Sequence, residues 1–104
     1  MKELDFRLLS RFDVINYKIL SYLLNKGDAT VDLLFYKLEI EYLYVEKEAL
    51  RKRLEKFVRL GLLEKYRKTV EFMDVKKSFV FYKVKDAETV KKLLKTVNEI
   101  FSKL

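Results

Sequence analysis

The sequence predicts an α+β domain: three helices, then a two-stranded β-hairpin, then an added C-terminal amphipathic helix. Three observations carry the prediction. Apolar residues recur at helical spacing in successive stretches before Gly61 and again after Asp86. Between these, Tyr66 to Phe72 and Phe79 to Lys85 have the composition and alternation of strands. The chain has 104 residues, 50% hydrophobic and 14% aromatic, enough for one domain with a modest core.

Residues 1–11 read two ways. Leu4, Phe6 and Leu8 alternate like a strand, while Leu4, Leu8 and Phe12 recur like a helix. The stretch is either an arm toward a partner subunit or a frayed lead-in to the first helix. Asp13 is placed to cap that helix, which runs to about Asn25 with Ile15, Ile19, Leu20, Leu23 and Leu24 as its apolar stripe. Gly27 suits a left-handed position after it. Thr30 caps a second, shorter helix with Val31, Leu34, Phe35 and Leu38 inward, and Asp32 in its first turn suits the helix dipole. Residues 39–44 are expected to be the connection, apolar enough to pack, with part of it either linking or continuing a helix. The third helix is expected from about Val45 to Leu60, with Leu50, Leu54, Phe57 and Val58 facing the core. At 100° per residue the opposite side carries Glu48, Lys52, Glu55, Lys56 and Arg59, flanked by Arg51 and Arg53. Gly61 ends the helix, and Leu62 and Leu63 return the chain to the core. In the second strand Val80, Tyr82 and Val84 share one face and Phe79, Phe81 and Lys83 the other. The connection from Met73 to Ser78 has no glycine, which predicts a longer, mobile, basic tip rather than a two-residue turn. Asp86 caps the last helix, whose stripe is Val90, Leu93, Leu94, Val97, Ile100, Phe101 and Leu104.

Charge is concentrated in the middle of the chain. Residues 45–85 hold 13 Lys/Arg and 6 Asp/Glu, and this one segment matches the net +7 of the whole sequence. A basic helix followed by a basic hairpin points to a polyanion. Other chemistries lack their residues. With Cys 0 and His 0, there is no disulfide, no thiolate or imidazole metal site, and no Cys nucleophile or His base. Carboxylate pairs such as Glu39/Glu41 and Glu46/Glu48 sit among cations at helical spacing and read as surface, and there is no glycine-rich phosphate loop. The expectation is therefore a binding protein without catalytic residues, cofactor or metal. No apolar run has the length of a membrane span, and the acids near Met1 are unlike a signal peptide, so a cytoplasmic protein is expected. Abundant Lys and Glu with no Gln fit a thermophile, although Pro 0 does not.

The order helix, helix, basic helix, hairpin resembles a winged-helix (winged helix-turn-helix) domain. The run Tyr17 to Thr30 (YKILSYLLNKGDAT) is similar to that family's first helix and following turn. Leu50 to Glu64 (LRKRLEKFVRLGLLE) resembles the end of its recognition helix and the entry to the wing, and Phe81 to Val84 (FYKV) the returning strand. The likeness is to small archaeal regulators of the MarR, PadR and ArsR kind, and it covers roughly residues 12–85. It differs in a longer segment between Leu38 and Gly61, in Glu39 where a small turn residue is usual, and in a wing tip without glycine. The resemblance implies a DNA-binding domain over 1–85 and a dimerisation element over 86–104. It implies that the third helix enters the major groove of double-stranded DNA, presenting Lys47, Arg51, Lys52, Arg53, Lys56 and Arg59. The wing would meet the adjacent backbone through Arg67, Lys68, Lys76 and Lys77, in a transcriptional regulator.

Other readings compete. The cations of the third helix also fit a solvated face laced by pairs such as Glu48–Lys52 and Glu55–Arg59. Against that, the hairpin adds Lys65, Arg67, Lys68, Lys76 and Lys77 on the adjoining element. A winged helix can also dock on another protein, with Tyr36, Tyr42, Tyr44, Phe79 and Phe81 as anchors, although such aromatics more often pack in a core. A two-stranded hairpin is a small platform for stacking RNA bases. Finally, Val90, Leu93, Leu94, Val97, Ile100, Phe101 and Leu104 either fold back on their own domain or pair with a second copy as a homodimer. The homodimer is the expectation, because small relatives of this kind usually dimerise.

Overall fold

The computed structural model describes residues 14–38 and 46–102. The proposed arm, Asp13, the connection 39–44, Val45, the Phe101 side chain and Leu104 lie outside the described residues. The described part is α+β, with four helices and one antiparallel hairpin. These are α1 (Val14–Asn25), α2 (Val31–Leu38), α3 (Lys47–Arg59), β1 (Leu63–Phe72), β2 (Val75–Val84) and α4 (Ala87–Ser102). None of the helices is long and apolar enough to cross a membrane among the described residues.

The helix boundaries follow local chemistry. Thr30 accepts the Leu33 amide on its Oγ1 at 3.0 Å, satisfying one of the donors that the first turn of α2 leaves unpaired. Asp86 does the same for α4, accepting from the Thr89 amide at 3.1 Å and from the Thr89 hydroxyl at 2.6 Å. These bonds from Thr89 hold the Asp86 carboxyl below its ordinary value. At the end of α3, Leu60 is the last near-helical residue and Gly61 takes φ +80°. The Gly61 amide returns to the Val58 carbonyl and the Leu62 amide to the Phe57 carbonyl, both at 3.0 Å. This pair of bonds is a Schellman motif, which needs a residue free to adopt the left-handed conformation at position 61. The start of α3 is later than Val45: Glu46 is extended and the helix begins at Lys47.

One core joins all the elements. Ile19, Leu20 and Leu23 of α1 meet Leu34 and Leu38 of α2, Leu50, Leu54 and Phe57 of α3, Leu63 and Tyr82 of the hairpin, and Val90, Leu93, Leu94 and Val97 of α4. Among the described residues, no charged or polar residue is buried with them.

The hairpin differs most from expectation. Its strands pair without interruption from Leu63↔Val84 to Phe72↔Val75, and only Met73 and Asp74 connect them. The glycine-free segment thus makes a two-residue turn after all. Both residues are left-handed, at φ 51° and 66°, as the turn that matches strand twist requires. Aspartate tolerates that region; methionine does so at a steric cost offset by the ladder beyond it. The expected strand faces hold, with Tyr82 buried and Val80 and Val84 packed on the core. On its other edge, Tyr82 exchanges two backbone bonds with Ala29, at 2.8 and 3.1 Å, so the segment between α1 and α2 adds a single bridge to the hairpin.

Candidate nucleic-acid interface

Helix α3 lies against the core through Leu50, Leu54 and Phe57, which fixes where its other side chains point. Its two flanks are tied to neighbours. On one flank Arg53 donates to Asn16 Oδ1 of α1 at 2.9 Å. On the other, Glu55 accepts from Lys65 Nζ at 2.7 Å and from the Tyr82 hydroxyl. Arg51 donates two bonds to Glu48, at 2.6 and 3.1 Å. At the first turn Lys47 pairs with Asp32 of α2 at 2.6 Å and sits over the Phe35 ring. The acids of α3 are therefore engaged within the chain, though not in the expected pairs. Glu48 takes Arg51 rather than Lys52, and Glu55 turns to the hairpin rather than to Arg59.

This leaves Lys52, Lys56 and Arg59 on the solvent side at i, i+4 and i+7, all exposed. None of them enters a hydrogen bond or ion pair among the described residues. Of the six predicted recognition-helix cations, the structure brings these three together on one face. It commits Lys47, Arg51 and Arg53 to contacts with α2, Glu48 and α1.

Electrostatics at the root of the hairpin favour a fixed geometry. The Lys65 ammonium, then the Tyr82 hydroxyl, hold Glu55 below its ordinary carboxylate value. Burial, then the Glu55 carboxylate, push the Tyr82 hydroxyl above its ordinary value. Tyr66 donates to Asp28 at 2.7 Å and stacks on Phe81 with centroids 5.5 Å apart. Sequence reasoning missed the Glu55–Tyr82–Lys65 junction. Its only signal was an acid on a basic helix ten residues before a lysine on the next strand.

Beyond the root, Arg67 and Lys76 fall on the same face of the ladder as Lys65 and Tyr82, the face that meets α3. Lys68 and Lys77 fall on the opposite face, where Lys77 lies over the Phe79 ring at 5.5 Å. All four are exposed.

The residues expected at a dimer interface are placed differently. Val90, Leu93, Leu94 and Val97 are 0–7% exposed within a single chain, packed in the core shared with α1. Asn98 also donates to the Tyr17 hydroxyl at 2.8 Å, tying the end of α4 to the start of α1. The stripe folds back on its own domain, so these four side chains are not presented to a partner. Ile100, 40% exposed, is the described member of the set that reaches solvent. Among the candidate aromatic anchors, Tyr36 is exposed, Phe79 and Phe81 are half-buried, and Tyr42 and Tyr44 lie outside the described residues. No protein-family model matches the chain, and no curated protein matches it.

Proposed function

We propose that the chain binds double-stranded DNA as a winged-helix protein and acts as a transcriptional regulator. In this reading α3 lies in the major groove and the hairpin is the wing on the adjoining backbone. The observation that carries it is the face made by Lys52, Lys56 and Arg59. Three cations sit in line on one exposed helix face while both nearby acids are drawn off by Arg51, Lys65 and Tyr82. A solvated structural helix would spend both acids on its own cations; Glu48 does so with Arg51, but Glu55 turns to Lys65 and Tyr82 of the hairpin instead of to Arg59. The helix spans roughly 20 Å, and a B-DNA major groove admits one helix. Arg59 offers the two-pronged donor that pairs with guanine, while Lys52 and Lys56 suit phosphates or guanine edges. The junction of Glu55 with Lys65 and Tyr82 sets the angle between α3 and the hairpin face that carries Arg67 and Lys76. Lys47, Arg51 and Arg53 hold the helix in place.

The test is fluorescence anisotropy of a labelled duplex titrated with protein across a salt series. Each phosphate contact contributes ~0.9 to the slope of log affinity against log salt. If Lys52, Lys56, Arg59, Arg67, Lys68, Lys76 and Lys77 all engage phosphate, the slope is about −6. A flat salt response rejects the reading. Replacing Lys52, Lys56 and Arg59 with alanine should abolish sequence preference in selection from a random duplex pool. Replacing Lys76 and Lys77 should weaken all duplexes alike.

A further inference from the structure

The end of the hairpin is built unlike the rest of the arm. Phe72, Met73 and Val75 are 73%, 81% and 65% exposed, and Val70 adds to them at 38%. The last rung of the ladder is Phe72–Val75, and Met73 and Asp74 make the turn beyond it. The cations are set back. Lys76, Lys77, Lys68 and Arg67 lie one, two, four and five rungs behind the last one. Glu71 sits across from Lys76, which leaves Lys77, Lys68 and Arg67 against Asp74. A surface made only to grip phosphate would carry cations at its point, where this one carries apolar side chains. Apolar residues in front and cations behind fit an anionic ligand with an apolar interior to enter.

A DNA duplex is such a ligand. Phosphates border its grooves and stacked bases fill its interior, and proteins that enter the minor groove often insert Phe or Met between base steps and kink the helix. The arm is long enough to do so. From the Lys65–Tyr82 rung, where the hairpin meets Glu55 of α3, to the Phe72–Val75 rung is seven steps, roughly 24 Å at about 3.4 Å per residue. The minor groove lies half a helical turn, about 17 Å, along the duplex from the major groove that would hold α3. The ladder runs unbroken to the turn, so the tip is presented by paired strands rather than by a loose loop. An anionic bilayer is also layered, with phosphate outside and hydrocarbon inside, and Asp74 decides between the two. It shares the turn with Met73 and goes to the same depth. Hydrocarbon offers it no donor. In the minor groove, water and the guanine amino group donate to it.

We propose that Phe72 and Met73 are a wedge that enters the minor groove, opens a base step and bends the duplex. The proposal rests on the DNA-binding reading above. Arg67 and Lys76 on one face of the ladder, and Lys68 and Lys77 on the other, meet the two phosphate backbones that border the groove. The wedge replaces the stacking that the opened step gives up. Pyrimidine–purine steps open most easily, so the tip selects duplexes that carry CA·TG or TA there. This is selection by deformability, separate from the base edges met by Lys52, Lys56 and Arg59.

The experiment uses two duplexes of about 20 base pairs and equal composition. One alternates CA·TG; the other alternates GA·TC and has no pyrimidine–purine step. Each carries a donor and an acceptor dye at its ends. Anisotropy reports binding and energy transfer between the ends reports bending. The wild type should bind both duplexes, raise energy transfer far more on CA·TG, and bind that duplex about 10-fold tighter. The double variant Phe72→Ser, Met73→Ser, checked for folding by circular dichroism, should lose both the rise in transfer and the preference. Its salt slope should stay at the wild-type value, because no cation is removed. Binding without any rise in transfer overturns the wedge and leaves the DNA-binding reading standing. A rise that the serine pair leaves intact does the same, because the bending would then come from elsewhere. No binding to either duplex at low salt overturns both. Adsorption to vesicles of phosphatidylserine and phosphatidylcholine that the serine pair abolishes, with neither duplex bent, makes the tip a lipid anchor and overturns the wedge.

Discussion

The two ends of the hairpin make a useful comparison. At its root, Leu63 and Tyr82 are buried, Glu55 and Lys65 join β1 to α3, and Tyr66 reaches Asp28 in the turn between α1 and α2. At its tip, the same ladder in the same register carries only exposed side chains. Backbone pairing is alike at both ends; what differs is whether a helix lies against the strand. The root belongs to the fold. The tip needs only the ladder to exist, so its side chains are free to be chosen for another surface.

The largest expected effect breaks this comparison if it is wrong. Leu63→Ala should destabilise the protein by about 2–5 kcal/mol, the usual range for a fully buried leucine whose cavity collapses incompletely. Phe72→Ala should fall within about 0.5 kcal/mol, as for a surface site. Urea unfolding at about 1 μM protein, dilute enough to disfavour self-association, measures both. Equal losses at the two sites would mean that the tip is packed against its own chain.

The contrast sharpens at Glu55. Glu55→Gln keeps an acceptor for Tyr82 but removes the charge that meets Lys65. The Glu55 side chain is 21% exposed, so a cost of about 1 kcal/mol at neutral pH is expected, below the range for buried charged hydrogen bonds. Because the folded carboxyl titrates below its ordinary value, its contribution is complete above about pH 4.3 and is lost as the pH falls through the lower, folded value. The wild type should therefore converge on the variant in acid. A difference that persists unchanged at pH 3 would assign the effect to shape rather than charge. The same variant should loosen the angle between α3 and the hairpin and so lower DNA affinity without removing a cation.

Much of this was legible in the sequence, and the rest was hidden for identifiable reasons. Thr30, Asp86 and Gly61 announce the helix ends because capping is a matter of a few neighbouring residues. The core stripes of α1, α2 and α3 follow from period alone. The partner of a charge does not. Glu48 and Glu55 look equally available to lysines on their own helix, and only the packing of α3 beside β1 decides that Glu55 turns to Lys65. The stripe of α4 likewise declares that it will be buried, but not against what. Val90 and Leu93 would read the same whether covered by α1 or by a second copy. The tip was misjudged because turn chemistry was read without the strands: residues from Val75 to Ser78 are exposed and basic, like a loop, yet they pair with Thr69 to Phe72.

The smallest effect concerns that turn. Met73 and Asp74 hold φ 51° and 66°, which a side chain disfavours and which asparagine and glycine adopt readily. Replacing Met73→Asn together with Asp74→Gly should therefore stabilise the folded chain, even though no contact is added. Glycine also loses more freedom on folding, which offsets part of the gain. A net increase of about 0.5–1 kcal/mol in urea unfolding is expected. The pair also separates the hairpin's two roles. It removes Met73 and Asp74 while improving the ladder that presents Phe72, so a protein that becomes more stable would show that these two tip residues are not kept for folding. If stability falls instead, the left-handed turn is held by something other than the strands, and the division between root and tip is less clean than the burial pattern implies.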